Sequence, residues 1–288
     1  MWNAFESGPE SGGAGMKKAF HNKCVLIGLI LILVIAFCAI AADWISPNDP
    51  TKIDMTYRFS QPSSQFPLGA DEYGRCILSR LIYGARYSLG LSLLAMSGII
   101  LTVVPAGMAA TYKGGAAEKV FLWFCDISLA LPPTVLVLAV MGIIGSGIQN
   151  LIFGAIFCYW GWYGRMVRSY TMTELSKGYV TYAVTGGVPV ITVLAKHILP
   201  NILPVLLVFI ASGIGDIILM ISGFSFLGIG LPADIPEWGT MLNEAKSILI
   251  KSPQYAIYPG LCVFGAVCAF NLLGEGLRKV FAIKNRRE

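Results

Sequence analysis

The sequence predicts an all-α membrane protein with six transmembrane helices, and three observations carry that prediction. Hydrophobic residues make up 56% of the 288, and the mean hydropathy is +0.69. Charged residues are 13%, about half the roughly 25% of a soluble domain, too few to coat a large soluble core. The apolar residues also fall in long unbroken runs. Only helices and closed barrels satisfy every backbone group in lipid, and runs of this length are helices.

The elements follow in chain order. Residues 1–20 are rich in Gly, Ser and Glu and read as a disordered cytoplasmic N-terminus. Lys17, Lys18 and Lys23 then precede Cys24 to Ala42, which carries no charge. Ala39-Ile40-Ala41 has the form of a cleavage site, but the run exceeds the roughly 7–15 residues of a signal-peptide core. An uncleaved first helix at about 24–43 is expected. The polar, Pro-bearing segment from Asp43 to Arg86 completes a first unit, 21–86, whose second part is extracytoplasmic.

Residues 87–281 read as a five-helix core. Tyr87 to Tyr112 is free of charge and long enough for a tilted second helix, closed by a turn at Lys113-Gly114-Gly115. Ile127 to Gly164 also lacks charge. As one helix it would be about 57 Å long at ~1.5 Å per residue, against a hydrocarbon core of ~30 Å. Two helices are therefore expected, at about 118–143 and 149–168, separated at Gly145-Ser146-Gly147-Ile148-Gln149-Asn150. Pro132-Pro133 should kink the first of them. A fifth helix runs from near Ile198 to around Ile221, and a Gly/Pro-rich stretch with Asp234, Glu237 and Glu244 follows. The sixth helix is about 253–276, and 282–288 is a basic cytoplasmic tail.

Six spans place both termini on one side. With that side taken as the cytoplasm, Lys17, Lys18, Lys23, Lys113, Lys119, Arg165, Arg168, Lys177, Lys196, Arg278, Lys279, Lys284, Arg286 and Arg287 lie inside. Lys52, Arg58, Arg75, Arg80, Arg86, Lys246 and Lys251 lie outside. The excess inside predicts an N-in, C-in orientation.

Several function classes are set aside by what the chain lacks. The net charge of +5 comes from residues at the ends of apolar runs, with no basic stripe interleaved with aromatics, so no nucleic-acid partner is expected. Seven cysteines form no C-x-x-C pair, and the only histidines are His21 and His197; neither a disulfide framework nor a metal site is indicated. No G-x-x-x-x-G-K-[ST] is present, so the chain is not itself an ATPase. No H-E-x-x-H or similar catalytic pair exists, and neither a catalytic residue nor a bound cofactor is expected. A secondary transporter would show repeat symmetry and an ion site at broken helices, and no repeat is visible.

Two carboxylates fall inside apolar runs, where an acid is a functional candidate by default. Asp126 lies near the cytoplasmic end of the third helix, as a pathway residue or a helix-packing partner. Asp216 lies deeper in the fifth helix, facing the route or paired with a neighbouring helix. The longest cytoplasmic loop, 165–201, reads as two short helices. The first closes at Gly186-Gly187, where glycine adopts the left-handed conformation, and Pro189 opens the second. A short helix with a small-residue face can lie in another protein's groove.

Gly178-Tyr179-Val180-Thr181-Tyr182-Ala183-Val184-Thr185-Gly186-Gly187, followed by Lys196-His197-Ile198-Leu199-Pro200-Asn201, resembles the EAA loop of ABC importer permeases. The dipeptide/oligopeptide/nickel branch is the most similar. Pro67-Leu68-Gly69-Ala70-Asp71-Glu72-Tyr73-Gly74-Arg75, Ser79-Arg80-Leu81-Ile82-Tyr83-Gly84-Ala85-Arg86, Trp162-Tyr163-Gly164-Arg165-Met166-Val167-Arg168, Ser225-Phe226-Leu227-Gly228-Ile229-Gly230, Trp238-Gly239 and Phe270-Asn271-Leu272-Leu273-Gly274 extend the match. Together these cover about residues 20–281.

The resemblance implies a MetI-like permease architecture, with Tyr179, Val180, Ala183, Gly187 and His197 coupling it to a partner. It implies one or two ABC ATPase subunits that bind ATP and Mg. It also implies a homologous second permease and an extracytoplasmic substrate-binding protein. The family's glutamate falls on Gly178 here, its first alanine on Tyr182, and its usual aspartate after Arg75 on Cys76. Ile221-Ser222-Gly223 lacks the acid that peptide permeases often carry before Ser-Phe-Leu-Gly, and Ile235-Pro236-Glu237-Trp238-Gly239 is similar to nickel-type members. Both features favour nickel or a nickel chelate over peptides as cargo.

Overall fold

The computed structural model describes residues 22–285, and every described element is helical apart from one isolated bridge between Ala70 and Cys76. The stretch 1–20, expected to be disordered, and the end of the basic tail lie outside the described residues. In order, the helices are α1 (Lys23–Ile40), α2 (Ala42–Ile45), α3 (Ile77–Lys113), α4 (Gly115–Leu129), α5 (Pro133–Ile144), α6 (Ile148–Leu175), α7 (Gly178–Thr185), α8 (Val190–Thr192), α9 (Leu199–Phe226), α10 (Trp238–Ala245) and α11 (Gln254–Asn285).

Four helices are long and apolar enough to cross a membrane: α1, α3, the continuous α8–α9 rod and α11. Counting the bent pair α4–α5 as one span gives five. The remaining expected span, the fourth at about 149–168, coincides with α6, which has the length but is less apolar. Its Gln149-Asn150 start, its Trp and Tyr residues and its two arginines lower its hydropathy.

Each helix starts and stops for local reasons. Asn22 caps α1 by accepting the Cys24 N–H at 2.9 Å. The turn at Gly114-Gly115, with φ of 64° and 58°, separates α3 from α4 as expected. Gly145 and Gly147, also at positive φ, separate α5 from α6. At Pro132-Pro133 the chain does more than kink: α4 and α5 meet at 89°.

Five boundaries differ from expectation. The second spanning helix starts at Ile77, not Tyr87, so the segment expected to end at Arg86 ends a helical stretch earlier. Arg80 and Arg86 tolerate this because each finds a carboxylate, Glu244 and Asp43 respectively. α6 continues through Arg165 and Arg168 to Leu175, because those arginines pair with Asp126 and Glu118 of α4. The second short helix of the loop is not separate. α8 runs through a π-helical stretch, Val193–Ile198, directly into α9. α9 and α11 also extend past their expected ends, to Phe226 and Asn285.

The core is the seam where α3, α6, α9 and α11 meet, with Ile99, Val103, Leu151, Ile202, Leu206, Ile217 and Ile221 sealed from solvent. α1 lies against α11 at close range. A Cβ on Gly28 would stand 2.7 Å from the Leu273 nitrogen and 2.8 Å from the Ala269 oxygen, so this approach depends on glycine, as in other close membrane helix pairs. α4 is held on α6 by Ser128, whose hydroxyl donates to the Phe157 carbonyl at 2.6 Å.

Candidate functional site

The bundle has two polar ends. At one, residues 176–198 make the short loop between α6 and α9. At the other, the irregular segment 46–76 packs against α10 and the start of α11.

The loop end is organised by α7. After Lys177 the chain turns into eight helical residues and then reverses at Gly187, whose φ is 78°. The Val188 N–H reaches the Ala183 carbonyl at 3.1 Å, and the Gly187 N–H reaches the Val184 carbonyl at 3.1 Å. That paired closure is a Schellman cap, which needs the left-handed residue that glycine supplies. Val180 faces inward and is buried; Ala183 is half-buried; Tyr182 is 78% exposed. Ile191, just beyond the turn, is 80% exposed.

Tyr179 ties α7 to both flanking helices. Its hydroxyl donates to the Glu174 carboxylate at 2.6 Å and accepts from the Asn201 amide at 2.7 Å. The same amide nitrogen donates to the His197 carbonyl at 2.8 Å. Burial, and then the bond to Glu174, push the Tyr179 hydroxyl up to about 12. Of the five residues marked for coupling, Tyr179 and His197 therefore meet, His197 through its backbone. Gly187 makes the turn, Ala183 anchors the cap, and Val180 packs against the chain's own core.

Glu174 and Asn201 are functional candidates that the motif reading passed over. Glu174 also takes Lys177 at 2.7 Å. It stands four residues before Gly178, so a carboxylate does exist at this corner, turned toward the chain itself. Its signal in the sequence is an acid one helical turn from a tyrosine.

The opposite end holds a clasp of buried charge. Asp71 and Glu244 face Arg75 and Arg80, with Arg75 Nε–Asp71 at 2.7 Å, Arg75 Nη2–Glu244 at 2.9 Å and Arg80 Nη2–Glu244 at 3.0 Å. Arg80 is 1% exposed. Burial pushes the Glu244 carboxyl above the ordinary carboxylate range, against the pull of Arg80 and Arg75. Cys76 stands at the N-cap of α3 and makes no side-chain capping bond, where an aspartate would accept one.

α10 adds a second tie. Glu237 is fully buried and accepts from Ser88 of α3 at 3.0 Å, Ser222 of α9 at 2.9 Å and the Thr240 N–H at 3.0 Å. It is the N-cap of α10 in a reciprocal box with Thr240. Glu-Trp-Gly-Thr is the usual Ser/Thr-x-x-Glu box reversed, and that order hides the cap from a motif search. Trp238 Nε1 donates to the Leu81 carbonyl at 3.0 Å, and the Tyr255 hydroxyl to the Ala70 carbonyl at 2.9 Å.

Of the two intramembrane acids, Asp126 pairs with Arg165 across α4 and α6. Asp216 has no such partner among the described residues. It lies on the open face of α9, flanked by buried Gly215 and Ile217.

Comparison with known proteins decides the family. Residues 89–287 match the family described as binding-protein-dependent transport system inner membrane component. The chain belongs to this family. Residues 15–62 match the N-terminal TM domain of oligopeptide transport permease C. The chain is 35% identical over 255 residues to the nickel transport system permease protein NikC of Escherichia coli (strain K12), covering 88% of this chain and 92% of that one. It is 35% identical over 267 residues to the di/tripeptide transport system permease protein DppC of Pseudomonas aeruginosa (strain UCBPP-PA14), covering 90% and 87%. It is 35% identical over 263 residues to the metal-staphylopine import system permease protein CntC of Staphylococcus aureus (strain NCTC 8325 / PS 47), covering 91% of each.

Family membership makes the chain a permease subunit of an ABC importer and a multi-pass plasma-membrane protein. Hydrolysis of ATP belongs to a separate ATPase.

Proposed function

We propose that the chain carries nickel or a nickel chelate inward, by alternating access, beside a homologous second permease. In this reading both termini face the cytoplasm, so the loop end meets the ATPase and the clasp end meets an extracytoplasmic binding protein. α7 would seat in the ATPase through Tyr182 and the exposed part of Tyr179, with Ile191 of α8 beside them and Gly187 fixing the angle. No cofactor is held by this chain; ATP and Mg sit on the partner.

The observation that carries the choice of cargo is Asp216. A carboxylate left open on an otherwise apolar spanning helix is expensive in lipid, so it belongs to a protein contact or to the route. A fixed negative charge on the route favours cargo with a cationic centre, such as a metal chelate. The relatives that carry nickel and metal–staphylopine support the same choice. The di/tripeptide relative supports a second reading, a peptide whose amino group takes the same place.

Uptake of radiolabelled nickel and of a labelled dipeptide, in cells lacking this chain and in cells complemented with it, separates the two. Nickel uptake should depend on the chain and dipeptide uptake should not; the reverse result makes it a peptide permease. In the complemented cells, Asp216→Asn should slow uptake about tenfold, equivalent to ~1.4 kcal/mol. Uptake at the unmodified rate removes Asp216 from the route.

A further inference from the structure

We infer that the break between α4 and α5 is a cargo-facing site, where bare backbone carbonyls on the translocation route receive hydrogen-bond donors or a cationic group. This rests on the importer reading above and adds a binding element to it.

The break is written into the covalent structure. In an α-helix, the carbonyls of Ser128 and Leu129 would be met by the N–H groups of residues 132 and 133. Both are proline and have none. Among the described residues, no backbone N–H reaches the carbonyls of Ser128, Leu129, Ala130 or Leu131. The only backbone–backbone bonds around the break, among the described residues, run from Ala130 N–H to the Ile127 carbonyl at 3.3 Å and from Leu136 N–H to the Pro132 carbonyl at 3.0 Å. The 89° bend leaves residues 129 to 134 exposed on this chain.

Its depth gives the break a meaning. Glu118, paired with Arg168 at 2.7 Å, marks the polar start of α4. Twelve residues later, about 18 Å along the helix, the chain is well inside a hydrocarbon core of ~30 Å. Lipid offers no donors, so non-helical backbone at that depth exists only against protein or in a water-filled cavity. The exposed residues of this set, Leu129, Ala130 and Leu131, offer these carbonyls as acceptors, and the C-terminal end of α4 adds its own partial negative charge. An acceptor-only cradle selects donors: water first, then an ammonium or a metal-bound water or amine on the cargo.

Thiol labelling of the assembled importer in proteoliposomes tests this. Ala130→Cys, with Leu131→Cys as a second variant should the first fail to assemble, is treated with methanethiosulfonate reagents bearing a trimethylammonium or a sulfonate group. Labelling of the unmodified chain, which has seven cysteines, is subtracted. The introduced thiol should react, and the cationic reagent should gain about tenfold over the anionic one relative to their rates on free cysteine. No reaction with either reagent places the break against protein, and equal gains remove the acceptor cradle; each result overturns the inference. ATP-driven uptake by the same proteoliposomes is read in parallel. Intact uptake with silent thiols sinks this site alone, whereas absent uptake by the unmodified complex sinks the importer reading.

Discussion

The two ends of the bundle are built on opposite principles. At the clasp end, two arginines, two acids and the buried Glu237 cross-link α3, α9, α10 and segment 46–76 by bonds internal to the chain. At the loop end, one tyrosine hydroxyl and one amide tie α7 to its neighbours, while large apolar side chains stay in the open. The first arrangement is closed within the chain: each charge of the clasp meets an opposite one, although Arg80 Nε and Nη1 keep no hydrogen-bond partner of their own among the described residues. The second is finished only by another surface. The difference teaches which end is frame and which is contact: a frame spends its polar groups inward, and a contact keeps its apolar ones outward.

Breaking the frame should have the largest effect. Glu244→Ala leaves Arg75 and Arg80 short of their shared acid, and loss of one partner from a buried pair costs about 3–5 kcal/mol. The detergent-solubilised complex should melt markedly lower; an unchanged melting temperature would mean that the clasp does not hold the frame. Glu237→Gln is a finer cut. An amide keeps one oxygen for Ser88 and Ser222 but turns an NH2 toward the Thr240 N–H, and an unsatisfied buried donor costs about 1–3 kcal/mol. The same melt reads it, and an unchanged melting temperature would mean that the bond from the Thr240 N–H adds nothing to the frame.

The contact end should respond differently. Gly187→Val forces a β-branched residue into the left-handed region, about 1–2 kcal/mol of strain, with open space around the new side chain. Membrane insertion should persist while ATPase-coupled uptake fails. Loss of insertion would make the glycine purely structural and blur the contrast between the ends. Tyr179→Phe, the mildest change, removes one hydroxyl worth about 1 kcal/mol. It should loosen α7 without affecting the clasp, seen as faster amide exchange confined to residues 178–185.

Legibility in the sequence divides along the same line. The loop end was readable because its determinants are local. Glycine at 187 and proline at 189 act within a few residues, and the motif lies in one stretch. The glycine break at 145–147 and the Pro132-Pro133 bend were readable for the same reason. The clasp was not, because Arg80 meets its acid 164 positions away. A charge in an apolar stretch reads as a boundary until its partner is known, which is why α3 was expected to start ten residues late. Glu237 failed in the same way: an acid in a Gly/Pro-rich stretch looks solvated, and only α3 and α9 closing over it show otherwise. Asp216 was legible as an intramembrane acid, but its open side is a property of the packed helix.

The π-helical stretch Val193–Ile198 joins the surface helix to the spanning one without a hinge. A π turn takes in roughly one residue more than the 3.6 of an α turn. Rewinding it as α would advance everything beyond by about 100° around the axis and about 1.5 Å along it. Asp216 rides on that same rod. A single residue of slack at one end would, if taken up, turn a carboxylate at the other by slightly more than a quarter-turn.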